Sequence, residues 1–193
     1  MFTGIITHLG KVRKKTASTL TIAIDSQLAK ELTKGVSIAI NGICLTVVSH
    51  TKDSFTIDFM PETAKRSNIQ YLEEGMEVNL ELPATASTLL AGHIVQGHVD
   101  SVGKITSIDK KGNSLIFTFS IPKSLSKYLV EKGSISVNGI SLTVIDANND
   151  SFTVGIIPHT WEHTMLHAAN VGDYVNLEVD ALAKYMEKLI QKN

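Results

Sequence analysis

The chain contains a single cysteine, Cys44, in 193 residues. An intrachain disulfide is therefore excluded. With no secretory leader pattern, the sequence predicts a reducing, cytoplasmic setting. Neither sign of charge dominates: 18 Lys and Arg stand against 19 Asp and Glu, for a net charge of −1. No basic block is long enough to track a phosphate backbone, which argues against nucleic acid as a partner. No apolar run approaches the roughly 20 residues of a membrane-spanning helix. Low-complexity stretches are missing, and no Pro/Gly/Ser-rich linker divides the chain. The stretch 82–92, LPATASTLLAG, is short and mildly apolar.

What the chain does have is an internal repeat. SIAINGICLTV at 37–47 returns as SISVNGISLTV at 134–144, with eight of eleven residues identical. At the same offset of 97, FTIDFMPET (55–63) answers FTVGIIPHT (152–160), and EGMEVNLEL (74–82) answers VGDYVNLEV (171–179). GIITHLGKV (4–12) matches GHVDSVGKI (97–105) at a slightly shorter offset. Two copies are too few for a solenoid, which needs at least about three stacked units, and each copy is long enough for its own core. The expected organisation is a domain over 1–88, a second over 89–180 and a tail over 181–193.

The local pattern is mostly β. Thr19–Asp25 alternates apolar and polar residues, as a half-buried strand does. Val36–Ile40 and Cys44–Ser49 flank Asn41-Gly42, a hairpin signal because both turn residues tolerate positive φ. Ser134–Val137, Asn138-Gly139 and Ser141–Ile145 repeat it. Further strands are predicted at Ser54–Phe59, Val78–Leu82, Phe117–Ile121, Ser151–Ile156 and Tyr174–Val179. Short helices are predicted at Ser26–Leu32 and Lys123–Val130. About six strands per half favour an all-β fold of two tandem six-stranded antiparallel barrels, since closure removes exposed edges; a two-sheet sandwich is the alternative. In the tail, Leu182, Tyr185, Met186, Leu189 and Ile190 form one stripe of an amphipathic helix. That helix either packs on its own domain or joins subunits.

The duplicated hairpin is also the main candidate for chemistry. Residues i and i+2 of a strand share a face, so Cys44 pairs with Thr46 and Ser141 with Thr143. Small hydrogen-bonding side chains beside strand backbone suit a flat heterocycle with alternating donors and acceptors. On a single strand such residues would simply face solvent; their retention in both copies favours a pocket in each. His93 and His98 are candidate proton carriers. His159, His163 and His167 are spaced to line one helix face, but HTWEH lacks the Glu of a zinc helix. Cys44 is a candidate nucleophile or a small buried thiol.

Taken together, MFTGII, NGICLTV, MPET, VNLE, GHIVQGHVD, NGISLTV, IPHT and VNLEVD resemble riboflavin synthase of the trimeric, duplicated-barrel type, from Met1 to about Tyr185. The resemblance implies dismutation of two 6,7-dimethyl-8-ribityllumazine molecules to riboflavin and 5-amino-6-(D-ribitylamino)uracil, with no metal and no organic cofactor. It implies a homotrimer whose active site forms between the first barrel of one subunit and the second barrel of its neighbour, with lumazine synthase as a candidate partner. Phe2, Ser37, Cys44, His93, His98 and Ser141 fall at positions implicated in catalysis. By matching motif, the first pocket takes Gly4, Ile5, Ile6, Cys44, Leu45, Thr46, Asp58, Phe59, Met60, Pro61, Glu62 and Thr63. The second takes Gly97, His98, Val99, Ser141, Leu142, Thr143, Gly155, Ile156, Ile157, Pro158, His159 and Thr160, with Lys132. Many relatives carry an acidic residue where this chain has Asn138; a neutral amide cannot serve as a carboxylate base. The rival class is a lumazine protein of the same duplicated fold, which binds a lumazine or flavin as an optical antenna without turnover.

Overall fold

The computed structural model describes residues 1–190. The first half forms a closed six-stranded barrel from β1 (His8–Lys15), β2 (Thr19–Ala23), β3 (Ser37–Ile40), β4 (Ile43–His50), β5 (Ser54–Asp58) and β6 (Glu77–Glu81), ordered β1-β2-β5-β4-β3-β6. The second half repeats it with β7 (Ser101–Lys111), β8 (Ser114–Ser120), β9 (Ser134–Val137), β10 (Ile140–Ala147), β11 (Ser151–Ile156) and β12 (Tyr174–Val179). All pairings are antiparallel, and β1 closes on β6 as β7 closes on β12. The barrel expectation therefore holds over the sandwich. The Asn-Gly turns work as expected: Asn41 and Gly42 have φ of 45° and 75°, and Asn138 and Gly139 have 46° and 80°.

Inward positions are apolar in both copies. Leu20, Ile22, Ile38, Ile40, Val47, Phe55 and Ile57 fill the first core, and Phe117, Phe119, Ile135, Val137, Phe152 and Val154 the second. Burying each such side chain contributes about 1.5–3 kcal/mol. Short helices decorate the barrels: α1 (Ser26–Glu31), α2 (Pro61–Arg66), α3 (Lys123–Ser126), α4 (Pro158–His163) and α5 (Ala181–Ile190). The Asp25 side chain caps α1 by accepting from the N–H groups of Gln27 and Leu28. The predicted helix Lys123–Val130 ends at Ser126, because Tyr128 and Leu129 donate three residues back instead of four. Residues 191–193 of the expected tail lie outside the described residues.

The barrels pack through a core of asparagines related by a local two-fold. Asn176 Nδ2 donates to the Asn41 carbonyl at 2.8 Å, and Asn79 Nδ2 to the Asn138 carbonyl at 2.9 Å. Asn176 Oδ1 accepts from Asn68 N at 2.6 Å, and Asn79 Oδ1 from Met165 N at 2.7 Å. The two hairpin tips meet: a Cβ on Gly42 would lie 2.6 Å from Gly139 N, so only glycine fits. Asn138 is fully buried in this network, accepting from Asn176 N at 2.7 Å.

Candidate functional site

On β4 and β10 the alternation resolves one way. Ile43, Leu45 and Val47 point into the first barrel, as Leu142 and Val144 point into the second. Cys44 and Thr46, and Ser141 and Thr143, therefore lie on the outer faces. Strand register places Ser37 opposite Thr46 and Ala39 opposite Cys44, so Ser37 shares that outer face. In the second copy Ser134 stands opposite Thr143, and Lys132 occupies the exposed turn entering β9.

These outer faces are covered by two extended straps, 2–6 and 95–99, and the straps are exchanged. Ser141 N donates to the Gly4 carbonyl at 2.8 Å, and Cys44 N to the Gly97 carbonyl at 2.9 Å. Ile6 packs on the second core and Val99 on the first. Both strap glycines have positive φ, and a Cβ on either would lie 2.6 Å from the Cβ of the residue it covers. The straps themselves pair at the local two-fold: Phe2 N donates to Val95 O at 2.7 Å, and Val95 N to Phe2 O at 3.1 Å. Phe2, Val95 and Ala39 are buried together, with Cys44 against them.

Matching motifs within each half assign Gly4, Ile5 and Ile6 to the Cys44 pocket and Gly97, His98 and Val99 to the Ser141 pocket. The structure pairs them the other way. A cavity of about 220 Å³ is lined by Cys44, Met60, Glu62, Thr63, Gly97, His98 and Val99, together with Arg66 and Ser67. Arg66 and Ser67 belong to the segment after MPET, where this chain reads Ala64-Lys65-Arg66-Ser67; Arg66 Nε donates to Glu62 Oε1 one helical turn away. Asp58 is exposed at the end of β5, and Pro61 opens α2. Leu45, Phe59, Leu142 and Ile156 are core residues, which leaves only their backbone to a pocket.

Beside the second hairpin His93 Nδ1 lies 2.6 Å from Ser141 Oγ. Gly92 allows this approach, since a Cβ there would lie 2.8 Å from Ser141 Cβ. Burial pushes the His93 pKa below its ordinary 6.5, against the opposing pull of Asp180. The imidazole is thus neutral at neutral pH. In the tautomer with the proton on Nε2, the Ser141 hydroxyl donates to Nδ1. Cys44 has no comparable side-chain partner among the described residues, and His98 is exposed. Gly155, Ile157, Pro158, His159 and Thr160 follow on β11 and α4, where His159 and His163 stack at 4.2 Å. The three histidines do not share one helix face. Thr164 is extended and ends α4, and His167 turns across to Glu77 of the first barrel at 2.9 Å. No group of three His, Cys, Asp or Glu side chains among the described residues is placed to hold a metal ion.

Two further residues, unmarked in sequence, hold the straps. Glu81 accepts from Thr3 N and Thr3 Oγ1, both at 2.7 Å, and from Gly4 N at 3.0 Å. Glu178 accepts from Gln96 N at 2.7 Å and from Gly97 N and His98 N at 3.0 Å. Burial raises both carboxyl pKa values, and the strap N–H groups oppose that rise. The one signal that could have found them is a Glu kept in both copies of VNLE.

Known proteins share the duplicated organisation. The lumazine binding domain family matches twice, over residues 3–83 and 96–180. The chain is 42% identical to a riboflavin synthase of Bacillus subtilis, covering 100% of this chain and 91% of that one. It is 45% identical to a riboflavin synthase of Mycobacterium bovis, covering 99% and 98%. A Saccharomyces cerevisiae riboflavin synthase is 38% identical, covering 98% and 86%. Among solved structures, LumP complexed with riboflavin superposes with a TM-score of 0.85 at 24% identity, covering 93% of this chain and 99% of that one. At that identity the likeness concerns the fold.

Proposed function

The chain belongs to the riboflavin synthase family of duplicated lumazine-binding domains, and from that premise we propose how its own residues divide the work. The reaction is the dismutation of two 6,7-dimethyl-8-ribityllumazine molecules into riboflavin and 5-amino-6-(D-ribitylamino)uracil. One lumazine gives a four-carbon unit to the other. The observation that carries this reading is identity of 38–45% to riboflavin synthases along nearly the whole chain. Two like outer faces with unlike residues add to it.

Two identical substrates require two similar pockets, and holding both together supplies much of the rate gain. Their roles differ, so the groups at the two pockets differ. The chemistry needs loss of a proton from the C7 methyl of one lumazine and addition of a nucleophile to C7 of the other. Ser141, hydrogen-bonded to neutral His93, is suited to nucleophilic addition, with the imidazole taking the hydroxyl proton. Exposed His98, on the strap over Cys44, is suited to carry the methyl proton. Phe2 fixes the strap pair from behind, and Ser37 and Thr46 offer hydroxyls beside Cys44. Thr143 offers a hydroxyl beside Ser141, and Lys132 brings an ammonium on the turn entering β9.

Within one chain the paired straps lie between Cys44 and Ser141, so a shared active site calls for a neighbouring subunit. On α5, Leu182, Tyr185, Met186, Leu189 and Ile190 are each at least 61% exposed, and their apolar stripe is the seam for a homotrimer. Co-sedimentation with lumazine synthase tests the second expected partner. No described helix is long and apolar enough to cross a membrane.

The deciding experiment is incubation with 6,7-dimethyl-8-ribityllumazine alone. Riboflavin and the pyrimidinedione should form in equal amounts, without added metal or reductant. Tight lumazine binding without product would move the chain to the antenna class.

A further inference from the structure

Resting on that reading for the ligand, we propose that Glu81 and Glu178 are crossed positioning residues: each sets the wall of the pocket on the barrel to which it does not belong. Glu81 ends β6 of the first barrel and is 4% exposed; Glu178 lies in β12 of the second and is 3% exposed. Neither forms a salt bridge among the described residues. Their carboxylates are satisfied instead by converging strap donors: Thr3 N, Thr3 Oγ1 and Gly4 N for one, Gln96 N, Gly97 N and His98 N for the other. Such a cluster needs an acceptor-only group, which an ionised carboxylate is and an amide is not.

Beyond the carboxylate each strap leaves its own barrel. The Gly4 carbonyl takes the Ser141 N–H and Ile6 enters the second core, while the Gly97 carbonyl takes the Cys44 N–H and Val99 enters the first. The strap is thus clamped on one barrel and forms the lid wall of the other. Glu178 also holds the N–H of His98, so it fixes the backbone carrying that candidate proton carrier. A buried charged group whose partners are nearly all backbone donors of one strap has a positioning role that core packing does not require.

The test uses full-length protein and 13C-labelled riboflavin observed by NMR. Two bound resonances are expected, assigned by Cys44→Ala and Ser141→Ala, each of which shifts one of them. Glu81→Gln should weaken riboflavin about tenfold or more at the Ser141 pocket and leave the Cys44 pocket nearly unchanged. Glu178→Gln should do the reverse, and should also lower turnover at saturating lumazine. If a Gln variant fails to fold, Thr3→Val removes one donor to Glu81 at constant shape, and should weaken the Ser141 pocket by a smaller factor. Weakening at the substituted barrel's own pocket, equal weakening at both, or a single bound resonance in the wild type would overturn the crossed assignment. Two resonances without any riboflavin formation by the wild type would instead overturn the enzyme reading, and the crossed pattern would still be read from the same spectra.

Discussion

His93 Nδ1 and Ser141 Oγ stand 2.6 Å apart across 48 residues of chain. The histidine comes from the connection between the halves, and the serine from the hairpin of the second barrel. Burial of the imidazole lowers its pKa below 6.5. Between the lowered value and 6.5 the unfolded chain binds more protons than the native one, so native stability falls as pH drops through that window. Urea unfolding of wild type against His93→Asn should show this slope in the wild type alone. Turnover should hold through this window and decline only as pH falls through the lowered native value, because a protonated imidazole cannot accept from Ser141. Identical pH profiles for the two proteins would refute the buried neutral histidine.

The residues that differ between the copies should matter more for rate than for affinity. Phe2→Ala, Cys44→Ala and His98→Ala are each expected to lower single-turnover rates more than they weaken flavin binding. Loss of an acid–base group costs about 10²–10⁴ in rate, whereas a neutral hydrogen bond is worth only about 0.5–1.5 kcal/mol. Flavin titrations and rapid-quench rates on the same proteins separate the two. Weak binding with normal turnover at saturation would make these side chains pocket walls.

Assembly should depend on α5. Lys184 is tied to Asp100 at 2.8 Å, and Lys127 and Tyr128 hold Glu187, so one side of the helix is docked on its own barrel. The other side carries the exposed stripe. Ending the chain after Asp180 removes five apolar side chains, each worth roughly 1.5–3 kcal/mol when buried. Leu189→Glu charges the stripe while keeping the docked side. Sedimentation velocity should show both falling to smaller species with loss of activity. A fully active monomer would end the shared-site idea.

The asparagine core should be costly to break. Asn176→Leu strands the Asn41 carbonyl and both the N–H and side-chain oxygen of Asn68. A buried unsatisfied group costs about 1–3 kcal/mol, so urea unfolding should show a loss of roughly 3 kcal/mol or more. A loss under about 1 kcal/mol would mean that water replaces the side chain.

The repeat made the architecture legible, because two copies of one strand pattern restrict each other's register. The Asn-Gly hairpins were readable from local sterics: few residue pairs accept positive φ in succession, and 41–42 and 138–139 both adopt it. Strands β1 and β7 were harder to read. Lys11, Arg13 and Lys14 crowd the outer face of β1, and glycines stand at inner positions. The strap exchange was beyond reach of the sequence. Gly4 on its own hairpin and Gly4 on the other copy's hairpin demand the same residues, so periodicity and repeat alignment are blind to the choice. His167 left the predicted helical row because Thr164 is extended and Glu77 of the first barrel offers a partner.

The contact between Gly42 and Gly139 limits how far the two copies can drift apart. Each glycine is constrained by its counterpart, so any side chain gained by one copy is rejected by the other. Two residues further along, Cys44 and Ser141 each lie against a strap from the opposite half, and there the copies already differ. Sameness is enforced where the duplicates touch directly, and novelty is admitted one strand step away.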